Sequence, residues 1–129
     1  MFDWKKPTVQ MLGRWQPWHD GHQALFKRCV AKTGQVIIQV RDVQGASGGD
    51  GQDDNPFDWE VVCKNIEDGL ALDGYQRGVE YEIMLVPNIV NITYGRGVGY
   101  AFEEEVFEKS ITDISATKIR KDMRDKGEL

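Results

Sequence analysis

The chain has 129 residues, 40% of them hydrophobic and 29% charged, which suits one globular domain over residues 1–129 and excludes a disordered or membrane-embedded chain. Its 16 basic and 21 acidic residues leave a formal net charge of −5, which argues against general affinity for nucleic acid. A polyphosphate is a different case, because a few cations and helix ends gathered in one place suffice to hold it.

The longest apolar runs, such as residues 35–40, are too short to span a bilayer. Residues 1–7 lack the apolar stretch of a secretory signal. Cys29 and Cys63 both fall in segments that read as helical, so they are expected as buried, reduced thiols. Together these features point to the cytoplasm and to no membrane partner.

In chain order, residues 8–12 form a short apolar strand stopped by Gly13. A helix follows over 19–32, with Leu25, Phe26, Cys29 and Val30 on one face and Gly34 closing it. Residues 36–40 are β-branched and continuous, as in a buried strand of a parallel sheet. The stretch 42–56 is rich in Gly, Asp and Asn and reads as a long loop. A second helix starts near Asp58, turns Trp59, Val62, Cys63, Ile66 and Leu70 inward, and ends around Asp73-Gly74. Residues 81–86 form a third strand, closed by Pro87. Further short strands are expected at 91–94 and 105–108, with a Gly-rich turn at 95–99 between them and a terminal helix over 116–126. This β-α-β-α-β order predicts an α/β fold: a single Rossmann-like domain, its parallel sheet carrying helices on both faces. Right-handed crossovers then put the loops after the strand ends on one edge, where ligands bind.

Two segments carry chemistry. The first is Gly13-Arg14-Trp15-Gln16-Pro17-Trp18-His19-Asp20-Gly21-His22, at the junction of strand one and helix one. Gly13 is expected to permit a tight turn. His19 and His22, three apart, face the same side of a first helical turn. Gly21 carries no side chain and lets a phosphate approach the backbone. The free N–H groups of the helix start add a positive partial charge. Such a site would hold a triphosphate and donate hydrogen bonds to oxygens that gain charge during transfer; the alternative reading makes His19 and His22 surface or capping residues. A zinc site is not expected, since the chain has only two His and two Cys on apolar faces. The second segment is Ile114-Ser115-Ala116-Thr117-Lys118-Ile119-Arg120. Ser115 reads as a helix cap, Thr117 lies in the same first turn, and Arg120 offers a planar fork for phosphate oxygens. In a parallel sheet both segments lie on one edge.

With these two motifs the chain resembles the HxGH nucleotidyltransferase superfamily, which is marked by His-x-Gly-His after strand one and Ile-Ser-x-Thr-x-x-Arg at the last helix. The wording around Gln16 is most similar to nicotinamide-nucleotide adenylyltransferases of the short archaeal type, as is Asn55-Pro56-Phe57 before the second helix. The resemblance implies transfer of a nucleoside monophosphate from ATP or CTP to a phosphorylated acceptor, with pyrophosphate released and Mg²⁺ bridging phosphates. It implies catalytic roles for His19, His22 and Arg120. Nucleotide or phosphate contacts would come from Gly13, Arg14, Gln16, Gly21, Ser115 and Thr117. Self-association into a homo-oligomer is implied as well.

The base and the acceptor stay open at this level. Ile-Ser-x-Thr-Lys-Ile is equally similar to glycerol-3-phosphate cytidylyltransferases, and a non-catalytic nucleotide-binding module is the alternative of another class. Arg41 and Asp42, at the end of strand two, are candidates either to contact the acceptor or to pair with each other. Arg96, in Gly95-Arg96-Gly97-Val98-Gly99-Tyr100, is a candidate phosphate or base contact. That segment is no dinucleotide fingerprint, since Tyr100 stands at the third glycine. Trp15 and Trp18 are expected to pack in the core more than to flank the site.

Overall fold

The computed structural model describes residues 1–44, 55–97 and 99–128. Most of the expected 42–56 loop (residues 45–54), and Val98 of the Gly-rich turn, therefore lie outside the described residues. Three strands, β1 (Val9–Gly13), β2 (Val36–Arg41) and β3 (Tyr81–Val86), form a parallel sheet in the order β1-β2-β3. Helix α1 (Asp20–Thr33) connects the first pair and α2 (Trp59–Leu72) the second. The chain ends with a four-residue helix, α3 (Lys109–Thr112), and with α4 (Ala116–Asp125). The α/β class and the parallel sheet are thus as the sequence leads one to expect. No helix among the described residues is long and apolar enough to cross a membrane.

Alternation along β2 shows why the layers stack as they do. Val36, Ile38 and Val40 are buried while Ile37, Gln39 and Arg41 are only partly so. In register, Met11, Ile38 and Ile83 line up across the three strands on the buried side. Phe26 and Cys29 of α1 and Val62, Cys63, Ile66 and Leu70 of α2 join this same cluster. Two successive right-handed crossovers moving in one direction put both helices on one face. The helical layer expected on the second face is therefore not formed by α1 or α2. That face carries Gln10, hydrogen-bonded to Gln39, and a partly exposed Met84. Burying Phe26, Ile38, Ile66 and Leu70 contributes about 1.5–3 kcal/mol each, the main apolar term holding helices to sheet.

Helix boundaries follow local chemistry. Gly34 ends α1 at φ 87°, a left-handed conformation open to a residue without Cβ, and its N–H donates to the Val30 carbonyl at 2.8 Å. Asp58 caps α2, accepting from the Val61 N–H at 2.9 Å. The two helices are tied by Gln23, whose Nε2 donates to the Gly69 carbonyl and to Asp73 Oδ2, both at 2.7 Å. Cys29 and Cys63 are buried and free, as expected. Burial pushes both thiols up from their ordinary pKa.

Neither of the two later strands forms. Residues 91–94 are exposed coil. Residues 105–108 run along α1 instead of joining the sheet, because α1 presents cations to their acids. Lys32 Nζ meets Glu105 at 2.6 Å and Glu103 at 3.1 Å, Arg28 donates to the Val106 carbonyl at 2.7 Å, and the Arg28 guanidinium sits 3.9 Å from the Phe107 ring centre. Residues 109–112 close α3 against the start of α1, an element without a visible signal in the sequence.

Candidate functional site

The loop from Gly13 to His19 leaves β1 at the carboxyl edge of the sheet and folds back on itself. Its positive φ falls on Trp15, at 55°, rather than on Gly13. The tight turn expected of Gly13 is thus made one residue pair later. Gly13 has a different reason to lack a side chain: a Cβ there would lie 2.8 Å from the Trp15 ring. A bulky residue in the left-handed region is strained, and its surroundings must hold it there. Trp15 Nε1 donates to the Gln39 carbonyl at 3.0 Å, and its ring packs on Trp18. Trp15 and Trp18 are 6% and 8% exposed, so both are core residues as expected, and both also touch the ring of His22.

His19 and His22 cap α1 reciprocally. The Gly21 N–H donates to His19 Nδ1 at 3.0 Å, and the His19 N–H donates to His22 Nδ1 at 3.2 Å. The rings stack with centres 3.6 Å apart. An imidazole whose Nδ1 accepts carries its proton on Nε2. Both residues are therefore neutral rings offering an Nε2–H donor, side by side at a helix N-terminus. Desolvation, chiefly, holds both below the ordinary histidine value. For His22, walled by two indoles, burial and then the neighbouring His19 push it down to about 3. For His19 burial outweighs the raising effect of Asp20. Gly21 serves this stack: a Cβ there would lie 2.8 Å from the His19 ring and 3.7 Å from the Ile111 carbonyl of α3.

The His22 shift sets a pH dependence of folding. The unfolded chain binds a proton near pH 6.5 and the folded one near pH 3, so stability falls as pH drops through that window. Between pH 7.5 and pH 5 the wild type is expected to lose about 2 kcal/mol more than His22→Gln in urea unfolding. Parallel losses in the two proteins would contradict the neutral, desolvated ring.

The second motif arrives from the far end of the chain. Ser115 caps α4, accepting from the Lys118 N–H at 3.4 Å. Arg120, 3% exposed, donates through Nη1 to the Gln16 carbonyl at 2.6 Å and through Nη2 to Thr117 Oγ1 at 3.3 Å. Ser115 is partly buried and Thr117 exposed. Gln16 is a hub. Its Nε2 donates to the Phe57 carbonyl at 3.0 Å and its Oε1 accepts from the Phe57 N–H at 2.9 Å. Arg14, exposed at the mouth of the loop, reaches Asn55 Oδ1 at 3.3 Å. Hydrogen bonds from one loop thus gather the start of α1, the approach to α2 and the first turns of α4.

Beside Gln16, at the ends of β2 and β3, lies a cavity of about 380 Å³ whose lining includes Arg41, Asp42, Phe57, Asp58 and Trp59. Arg41 does not pair with Asp42. Its Nη2 donates to Asn88 Oδ1 at 2.6 Å, and its Nε is buried without a hydrogen-bond partner among the described residues. Asn88 was not foreseen, although the register placing Arg41 opposite Val86 puts it two residues further along. Arg96 is not brought to this edge by any hydrogen bond or ion pair among the described residues, and it is exposed in coil. Among the described residues no group of three or more His, Cys, Asp or Glu could hold a metal ion. Compared with known proteins, the chain matches no family model and no curated sequence.

Proposed function

We propose that this chain is a Rossmann-like nucleotidyltransferase that moves AMP or CMP from the triphosphate to a phosphorylated small-molecule acceptor and releases pyrophosphate. One observation carries the reading. Arg120 and Gln16, 104 positions apart, are joined by a 2.6 Å hydrogen bond that draws α4 to the loop preceding the His pair, which supports one shared anion-binding edge.

The division of labour follows from the chemistry of each group. His22 Nε2–H donates to a non-bridging oxygen of the α-phosphate, where charge builds up as the acceptor oxygen attacks in line, and His19 Nε2–H supports the same region. Neutral imidazoles suit this task, because they donate without needing a proton from solvent at pH 7. The α4 N–H groups, Ser115 and Thr117 hold the β- and γ-phosphates, with Arg14 and Arg120 supplying positive charge. The new bond joins acceptor oxygen to the α-phosphorus. The bond that breaks joins that phosphorus to the β-bridging oxygen, and pyrophosphate leaves with the electron pair. Mg²⁺ would come as part of the triphosphate substrate and would supply further positive charge, beside Arg14 and Arg120, for the leaving pyrophosphate. The cavity beside Arg41 receives the acceptor.

Incubation with each of the four ribonucleoside triphosphates, Mg²⁺ and a panel of phosphorylated acceptors, with pyrophosphate as readout, tests this directly. Release with one triphosphate and one acceptor class is expected. No release with any pairing, and no reverse reaction from pyrophosphate, would overturn the enzyme and leave a nucleotide-binding module.

A further inference from the structure

We propose that Gln16 is a positioning residue that couples the triphosphate site to the acceptor cavity, so that a nucleotide bound at α4 fixes the start of α2. The proposal rests on the nucleotidyltransferase reading and adds to it a coupling between nucleotide binding and the shape of the acceptor cavity.

Gln16 faces both sites at once. Its main-chain carbonyl accepts from Arg120, the residue that brings α4 to the loop. Its side-chain amide pairs with both backbone groups of Phe57, at 2.9 and 3.0 Å. Phe57, Asp58, Trp59, Glu60 and Val62 then form one wall of the cavity beside Arg41, and Gln16 itself lines it. The residue is 4% exposed, so this bridge is shielded from competing water. Asn55, 1% exposed and bonded to Arg14, gives the same segment a second tie to the loop.

The path is short, and its links from Arg120 through Gln16 to Phe57 are hydrogen bonds. Phosphate oxygens bound at the α4 terminus hold the Arg120 guanidinium in one place. Arg120 then holds the Gln16 carbonyl, which fixes the plane from which the Gln16 side chain reaches Phe57. Phe57 immediately precedes the Asp58 cap, so fixing it sets the first turn of α2 and the cavity wall with it. Because coupling between sites is reciprocal, an acceptor that fills the cavity tightens nucleotide binding by the same factor.

Amide hydrogen exchange at Phe57 and Val61 reads the coupling without knowledge of the acceptor, using ATP or CTP as probe and calorimetric titration to establish binding. In the wild type, saturating nucleotide is expected to slow both amides at least about fivefold. Gln16→Ala is expected to bind the nucleotide yet lose this slowing. Gln16→Glu preserves the volume and the acceptor for the Phe57 N–H, and it guards against a folding defect in the alanine variant. Arg120→Lys cuts the path at its other end and should also abolish the slowing. Bound nucleotide with unchanged exchange in the wild type, or slowing that survives in Gln16→Ala, overturns the coupling and leaves the functional reading standing. Absence of nucleotide binding to the wild type overturns both.

Discussion

His22→Ala is expected to lower kcat by about 100- to 1,000-fold while nucleotide affinity stays within about tenfold of wild type. The expectation comes from where the proton sits. His22 Nδ1 is occupied by the His19 N–H, so Nε2–H is the group left to meet an oxygen whose charge grows only as the reaction proceeds. Steady-state kinetics with the triphosphate found active in the panel, paired with calorimetric titration, separates the two effects. The His22 ring also packs on Trp15 at 4.7 Å and on Trp18 at 5.5 Å, so its removal loosens the loop. Thermal unfolding of the variant must therefore remain cooperative for the kinetics to be read. Loss of binding in proportion to turnover would assign His22 to ground-state binding instead.

Arg120→Ala is expected to cost about 2–3 kcal/mol of folding stability, seen as a lower urea midpoint at unchanged slope. A charged donor to a buried carbonyl is removed, and that carbonyl is left facing a gap. Arg120→Met retains volume and isolates the polar part of the loss. The same variants are expected to weaken triphosphate binding, since they remove charge from the proposed anion-binding edge. A urea midpoint equal to wild type in both would mean that α4 is not clamped to the loop, and the single edge proposed for the two motifs would fail with it.

The elements that the sequence made legible share one property: their signals are local. Gly34 stops α1, Asp58 caps α2, Ser115 caps α4, and the apolar periodicity of 25–30 and 59–70 picks out the faces that bury. Residues 105–108 mislead because a short run of extended backbone can satisfy itself in two ways. Its partner is decided by Arg28 and Lys32, more than seventy positions away, which draw the acids onto α1. Residues 91–94 have β-prone composition but no strand beside them. Gly13 and Gly21 are called for by ring packing, and ring packing has no sequence period.

The candidate site divides along the same line. His19, His22, Ser115, Thr117 and Arg120 could be named from motif wording, and the Ser115 cap from residue type alone. That Gln16 ties three segments together, that Arg41 pairs with Asn88 and not Asp42, and that Arg96 stays outside this network depend on strand register and loop path.

From its order of residues alone, this protein reads as an α/β chain with capped helices and two motif segments proposed to meet anions, because spacing along the backbone and intrinsic propensity decide what a sequence displays. Tertiary structure decided that α1 and α2 share one face, that the last apolar stretches leave the sheet, and that a buried arginine joins the chain's two ends. Those outcomes turn on long-range hydrogen bonds and charge pairs, whose partners become neighbours only when the chain has folded.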